Sequence, residues 1–114
     1  IGVAPAELED LLLGHEKVED VAVLAIKDEY SGEVPKAYVV VKPSVRADES
    51  TARELLAYVR EKKTRYKRVQ EIEFTREIPK SASGKILRRV LRDTEKEGGG
   101  GLVVRERSDE RAKL

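Results

Sequence analysis

The sequence predicts an α+β domain: a small sheet with a three-stranded core, helices packed on it, and the element order α-β-β-α-β-α. Apolar residues recur at helical spacing in three separate stretches. Between them, runs such as "VAVLAI" and "AYVVV" are apolar on both side-chain faces, as in strands covered above and below. Glycine and proline mark the joints.

The first helix lies in "APAELEDLLLGH". Pro5 suits the first helical position, where no N–H is needed, and Gly14 suits the stop. Glu7, Glu9 and Asp10 read as a charge set favoured by the positive end of the helix dipole, and His15 as a residue favoured by the negative end. Leu8, Leu11 and Leu12 share a face. "VEDVAVLAIKD" and "PKAYVVVK" are the first two strands, joined by the polar turn "DEYSGEVP". The second helix lies in "STARELLAYVREKKTRY", with Ala52, Leu55, Leu56 and Val59 at i, i+3, i+4 and i+7 and Asp48 or Ser50 as its cap. "VQEIEF" reads as a half-buried strand with Ile72 and Phe74 inward. A loop broken by Pro79 and Gly84 then enters a third helix, with Ile86, Leu87, Val90 and Leu91 as the apolar stripe and Arg88, Arg89 and Arg92 opposite. The domain is expected over residues 1–93. Residues 94–114, with the glycine run "EGGGG", are expected to be a flexible tail.

Composition narrows the chemistry. No cysteine is present, which removes disulfides and thiol nucleophiles, and His15 is the only histidine, which removes multi-histidine metal sites; no metal ligands are assigned. No apolar run approaches the ~20 residues needed to span a bilayer. The net charge of +1 conceals a division: residues 1–34 hold nine acids and two bases, residues 51–92 thirteen bases and five acids. A basic half suits an anionic partner such as a nucleotide, a coenzyme or nucleic acid, or else forms solvated helix faces.

"IPKSASGKILRR" (residues 78–89) is the stretch with the most chemistry. A phosphate-binding P-loop is excluded, because Pro79 stands where its first glycine belongs and Ile86 where its Ser or Thr belongs. Ser81 and Ser83 lack a nearby histidine, so no triad forms. What remains is a small polar loop in which Gly84 permits close backbone approach and Lys85 carries a cationic arm. The residues alone leave two readings: a lysine that neutralises a phosphate or carboxylate, or a turn beside a solvated charge. Tyr66 and Lys67 divide similarly, between a nucleotide contact and a helix end. The arginine face has no aromatic stacking platform, which weakens a nucleic-acid-binding module as an alternative.

Three ordered segments resemble one family. "VAPAELEDLLLGHEKVEDVAV" (residues 3–23), "KDEYSGEVPKAYVVVK" (residues 27–42) and "EFTREIPKSASGKILRRVLRD" (residues 73–93) look like the mobile C-terminal domain of adenylate-forming acid–CoA ligases, the superfamily of 4-coumarate–CoA ligases, acyl-CoA synthetases and luciferases. The resemblance implies a domain that closes over a larger N-terminal adenylation domain. That larger domain binds the carboxylic acid and most of the ATP, Mg2+ and CoA. Lys85 is implied as the adenylation lysine, with Ser83 and Gly84 in the substrate and ATP loop. Domain rotation is then implied to bring the "VAPAELE" segment to the CoA tunnel, with Gly2, Lys67 and Arg68 as CoA contacts. The family commonly reads Lys-Gly-x-Gln-Val-Ala-Pro-Ala-Glu at its start; here Gly2 stands at the Gln position, and the upstream lysine and hinge are absent. The 114 residues are therefore expected to act only as part of a full-length ligase. A carrier-protein-dependent or luciferase-like enzyme is the nearest alternative. The terminal Ala112-Lys113-Leu114 is one substitution from the Ser-Lys-Leu address read by the peroxisomal import receptor, so a peroxisomal rather than cytoplasmic location is expected.

Overall fold

A computed structural model describes residues 4–30, 32–62 and 68–107 of the chain. Its elements run α1 (Pro5–Leu13), β1 (Val18–Asp28), β2 (Gly32–Val41), α2 (Glu49–Lys62), β3 (Glu71–Phe74), α3 (Arg88–Lys96) and β4 (Val103–Arg105). Pro5 occupies the first turn of α1, where its missing N–H costs nothing. Asp48 rather than Ser50 caps α2, its Oδ1 accepting the Thr51 N–H at 2.9 Å.

The strands lie in the order β1-β2-β3-β4. β1 and β2 form an antiparallel hairpin closing at Asp28 and Gly32. β3 pairs parallel to β2, so the chain must cross over between them, and α2 makes that crossing. β4 pairs antiparallel to β3. Alternation along the strands divides the sheet into two buried faces. On one, Val21, Val23, Ala37, Val39, Ile72 and Phe74 meet α1 and α2 through Leu8, Leu12, Ala52, Leu55, Leu56 and Val59. On the other, Ala22, Leu24 and Tyr38 meet Ile78 and Leu91, with Ile26, Val40 and Ile86 partly buried around them. The second face is the thinner layer, and Leu91 is the one buried side chain of α3. Among the described residues no helix is long and apolar enough to cross a membrane.

The α+β class and the order of the first six elements match the expectation, but the stretch after residue 93 corrects it. Residues 98–105 form a folded return to the sheet. The Gly98 N–H bonds to Glu95 O at 3.1 Å and the Gly99 N–H to Thr94 O at 2.9 Å, a Schellman stop with Gly98 at φ 93°. A Cβ on Gly101 would lie 2.0 Å from the Phe74 carbonyl oxygen, so glycine there permits the close passage onto β3. β4 follows, adding Val104 to the core. Three residues of strand leave too short a pattern to read, and a glycine run looks the same whether it loosens a chain or allows tight contact. α3 also crosses the boundary expected at residue 93, ending at Lys96.

Two further expectations change. α3 begins at Arg88, because Ile86 is drawn into a bridge with Lys80. Leu87 and Val90 are consequently exposed, so the expected four-residue apolar stripe reduces to Leu91 and, in part, Ile86. β3 is buried at every position, including Glu71 and Glu73, rather than half-buried. Tyr66, Lys67, Gly2 and the Ala112-Lys113-Leu114 terminus lie outside the described residues.

The glycine run yields a paired prediction. Gly101→Ala forces a steric shift against Phe74 and should destabilise the chain by about 1–3 kcal/mol. Gly100→Ala, which meets nothing within 4 Å and is not among the positive-φ glycines, should stay within about 0.5 kcal/mol of the parent. Urea-unfolding midpoints of the two variants test this.

Candidate functional site: a lysine hairpin on the second sheet face

Residues 78–87 form a small hairpin. Lys80 and Ile86 bridge antiparallel, the Ser81 N–H donates to Lys85 O at 2.8 Å, the Gly84 N–H to Ser81 O at 2.9 Å and the Leu87 N–H to Pro79 O at 2.9 Å. Gly84 at φ 87° supplies the left-handed residue that a three-residue hairpin loop needs. The Ser81 Oγ accepts the Lys85 N–H at 3.2 Å and lies 3.0 Å from the Ser83 Oγ, which ties the tip together from within. Ile78 and Ile86 seat the hairpin on the sheet. The Lys80 ammonium reaches Asp20 of β1 at 2.6 Å. Lys85 is exposed, and among the described residues no carboxylate pairs with its ammonium. The hairpin therefore presents a free cation on a stem held by its own hydrogen bonds.

Directly after the hairpin, Arg88 leaves the arginine face expected for it. Its Nη1 and Nη2 donate to Glu9 Oε2 and Oε1 at 2.8 and 3.2 Å, and Nη1 donates again to Val23 O at 2.8 Å. Glu9 Oε2 also accepts the Val23 N–H at 2.8 Å. Glu9 was expected to serve the helix dipole; instead it is buried against the sheet, while Arg89 and Arg92 remain exposed.

A second charged cluster sits beside α3. Lys36 of β2 is 2% exposed, and its ammonium lies 3.0 Å from Glu71, 2.8 Å from Glu73 and 2.7 Å from Glu95. Glu71 stands opposite Lys36 in the parallel register, and Glu73 opposite Tyr38, whose hydroxyl donates to Glu95. Burial favours neutral Lys36, but the hydrogen bonds to Glu73, Glu95 and Glu71 outweigh it and raise its pKa above the usual lysine range. Burial raises the Tyr38 pKa, and its bond to Glu95 raises it further. For Glu95 burial works against the charge, and the Lys36 and Tyr38 hydrogen bonds prevail, leaving its pKa below the usual value. Sequence reading missed this cluster. Its signal, Lys36 amid apolar strand residues and acids alternating through "EIEF", acquires meaning only from the pairing of β2 with β3.

Arg68, expected among CoA contacts, is a correction of another kind: it has no exposed surface, and its Nε lies 3.3 Å from Oε1 of the buried Glu106. Arg60 reaches the same carboxylate at 3.0 Å. The unforeseen return of the chain through β4 brings Glu106 there. His15 accepts the Lys17 N–H at Nδ1 and lies 3.3 Å from Glu54 through Nε2, a joint between the α1–β1 turn and α2.

The hairpin, the two-faced sheet and the strand order define a class. Residues 7–85 match the family model of the AMP-binding enzyme C-terminal domain, and the chain belongs to that family. It is 50% identical over 91 residues to 4-coumarate–CoA ligase-like 1 of Arabidopsis thaliana, covering 80% of this chain and 16% of the relative. It is 43% identical over 90 residues to acyl-CoA synthetase 7 of Caenorhabditis elegans, covering 79% of this chain and 16% of that protein. Among solved structures, the anthranilate CoA ligase AuaEII in complex with anthranoyl-AMP matches with a TM-score of 0.78 and 38% identity, over 86% of this chain and 18% of the other. The Brucella canis acyl-CoA synthetase matches at 0.76 and 34%, over 82% and 17%. The chain thus spans about a sixth of the length of these relatives.

Lys36→Met should strand Glu71 and Glu73 without their cation and cost about 3–5 kcal/mol in urea unfolding. The stabilisation from Glu95 is present above the ordinary glutamate pKa of about 4.3 and is lost as pH falls through its depressed folded value. Unfolding free energies measured from about pH 6 to about pH 3 should therefore fall less steeply in Glu95→Gln than in the parent chain.

Proposed function

We propose that this chain is the mobile C-terminal domain of an ATP-dependent carboxylic acid–CoA ligase, and that Lys85 supplies the cation for its adenylation step. The observation that carries the reading is the exposed Lys85 ammonium, unpaired among the described residues, at the tip of a hairpin whose backbone is tied at both arms. In adenylation a carboxylate oxygen forms a bond to the α-phosphorus of ATP while the bond from that phosphorus to the bridging oxygen breaks, releasing pyrophosphate. Negative charge shifts between carboxylate and phosphate oxygens throughout. An ammonium held between them stabilises that shift more than it stabilises either separated anion.

Membership of the family and the high identity to 4-coumarate–CoA ligase-like and acyl-CoA synthetase relatives support this reading, as does a structural neighbour described in complex with an acyl-adenylate. Ser83 and Gly84 shape the tip. Glycine lets the backbone approach the nucleotide, and the Ser81–Ser83 contact limits movement. The Mg2+ that accompanies ATP is assigned, with the acid pocket, to the larger adenylation domain of the full-length ligase. After adenylation, rotation of the domain brings the segment before α1, including Gly2, and Lys67 toward the CoA path. The tripeptide Ala112-Lys113-Leu114 has the form of a peroxisomal address when it stands at a free carboxyl terminus.

In the full-length ligase, Lys85→Ala should slow acyl-adenylate formation by at least about 100-fold while thioester formation from supplied adenylate persists. Pyrophosphate exchange and single-step thioester assays separate the two; equal loss of both contradicts the role. A fluorescent reporter fused to the last twelve residues should collect in peroxisomes. Wholly cytosolic fluorescence refutes the address.

A further inference from the structure

We propose that Glu9 is a positioning residue for Lys85: by gripping Arg88 against the free edge of β1, it sets where the hairpin holds the lysine during adenylation. The inference rests on the reading of Lys85 above and concerns a residue on a different element, 76 positions away in the chain.

Glu9 is an acid in an unexpected place. Of the three acids in its stretch of α1, Glu7 and Asp10 are exposed, whereas Glu9 faces the sheet with 7% of its surface accessible. A buried carboxylate is retained only where its charge and lone pairs are met. Here they are met by a closed ring: the Val23 N–H and Arg88 Nη1 both donate to Oε2 at 2.8 Å, Arg88 Nη2 donates to Oε1 at 3.2 Å, and Arg88 Nη1 returns to Val23 O at 2.8 Å. β1 is an edge strand. The ring occupies both backbone groups of one of its residues, and a guanidinium fork on a carboxylate fixes orientation as well as distance.

Arg88 is the first residue of α3, and Lys85 precedes it by three. Leu87 is hydrogen bonded to Pro79 and Ile86 bridges Lys80, so movement of Arg88 carries the hairpin with it. Apolar anchoring near this junction comes from Ile78, Ile86 and Leu91, which fix its depth on the sheet but carry no directional bond. Leu91 is the buried residue of α3, and Leu87 and Val90 are exposed. The other pin, Lys80 to Asp20, is a single-point contact with side chains 38% and 27% accessible, a weaker anchor than a two-pronged fork on a carboxylate that is itself 9% accessible. A cation that acts by standing between two reacting oxygens is sensitive to displacements of about 1 Å, which cost on the order of 100-fold in rate. Substrate affinity is not affected in the same way when ATP and acid are held mainly elsewhere. Glu9 should therefore act on kcat of adenylation, leave KM nearly alone, and be silent in thioester formation, which does not use the hairpin.

The test uses the full-length ligase. Glu9→Gln keeps an acceptor for the Val23 N–H but removes the charge that fixes the fork. Its adenylation kcat should fall about 10- to 100-fold, with KM for ATP and acid, and thioester formation from supplied adenylate, within about 2-fold. Arg88→Lys, which keeps the charge but not the fork, should show the same pattern to a smaller extent and serves if Glu9→Gln folds poorly. Glu9→Gln placed on Lys85→Ala should slow adenylation no further, because a residue that acts through Lys85 has nothing left to position. Unchanged adenylation in both variants, equal loss of the two half-reactions, or full additivity with Lys85→Ala overturns the proposal. Intact adenylation in Lys85→Ala alone instead overturns the reading of the lysine, so the two failures are told apart.

Discussion

Lys36 places a positive charge on the face of β2 that α3 covers, and a buried ammonium is tolerated only when carboxylates surround it. Glu71 and Glu73 arrive because β3 pairs parallel to β2, and Glu95 arrives because α3 lies across that face. The requirement works in both directions. The sheet needs the helix to complete the charge, and the helix, with Leu91 as its buried apolar anchor, needs the charge to hold it down. The position of the glycine stop follows, since it turns the chain directly beyond Glu95 and feeds β4 onto the far edge of the sheet.

At its other end α3 is held by Arg88 on Glu9. The lysine hairpin emerges from this second fastening, so its stem inherits the rigidity of the sheet while its tip stays in solvent. This combination suits a domain that serves two steps by moving as a body. The hairpin tip is small and exposed, and the groups that fasten its stem are charged, at least partly buried and remote in sequence. The cost of this arrangement is a thin second layer whose packing relies on ion pairs more than on apolar area.

Much of the first face was legible. The leucines of α1, the i, i+3, i+4, i+7 row of α2 and the doubly apolar strands all lie where periodicity put them, because each bears on local patterns that a single chain segment must satisfy. The hairpin was legible as a loop from Pro79 and Gly84, and its lysine from family motifs rather than from physics. Ile86 was misplaced into a helix because a bridge to Lys80 competes with helical propensity, and propensity is the weaker of the two. Arg68 was taken for a surface cation because nothing near it in sequence announces Glu106.

By itself, then, the sequence determined the α+β class, the order through α3, the apolar positions of the larger core and the loop that carries Lys85, all features encoded within short windows. The tertiary structure decided what the charges do. Whether Lys36, Glu9, Arg68 or Arg88 lies in water or inside the fold depends on a partner 37 to 79 residues away. The energy of a charge is set by what surrounds it in space, and spacing along the chain carries almost no record of that.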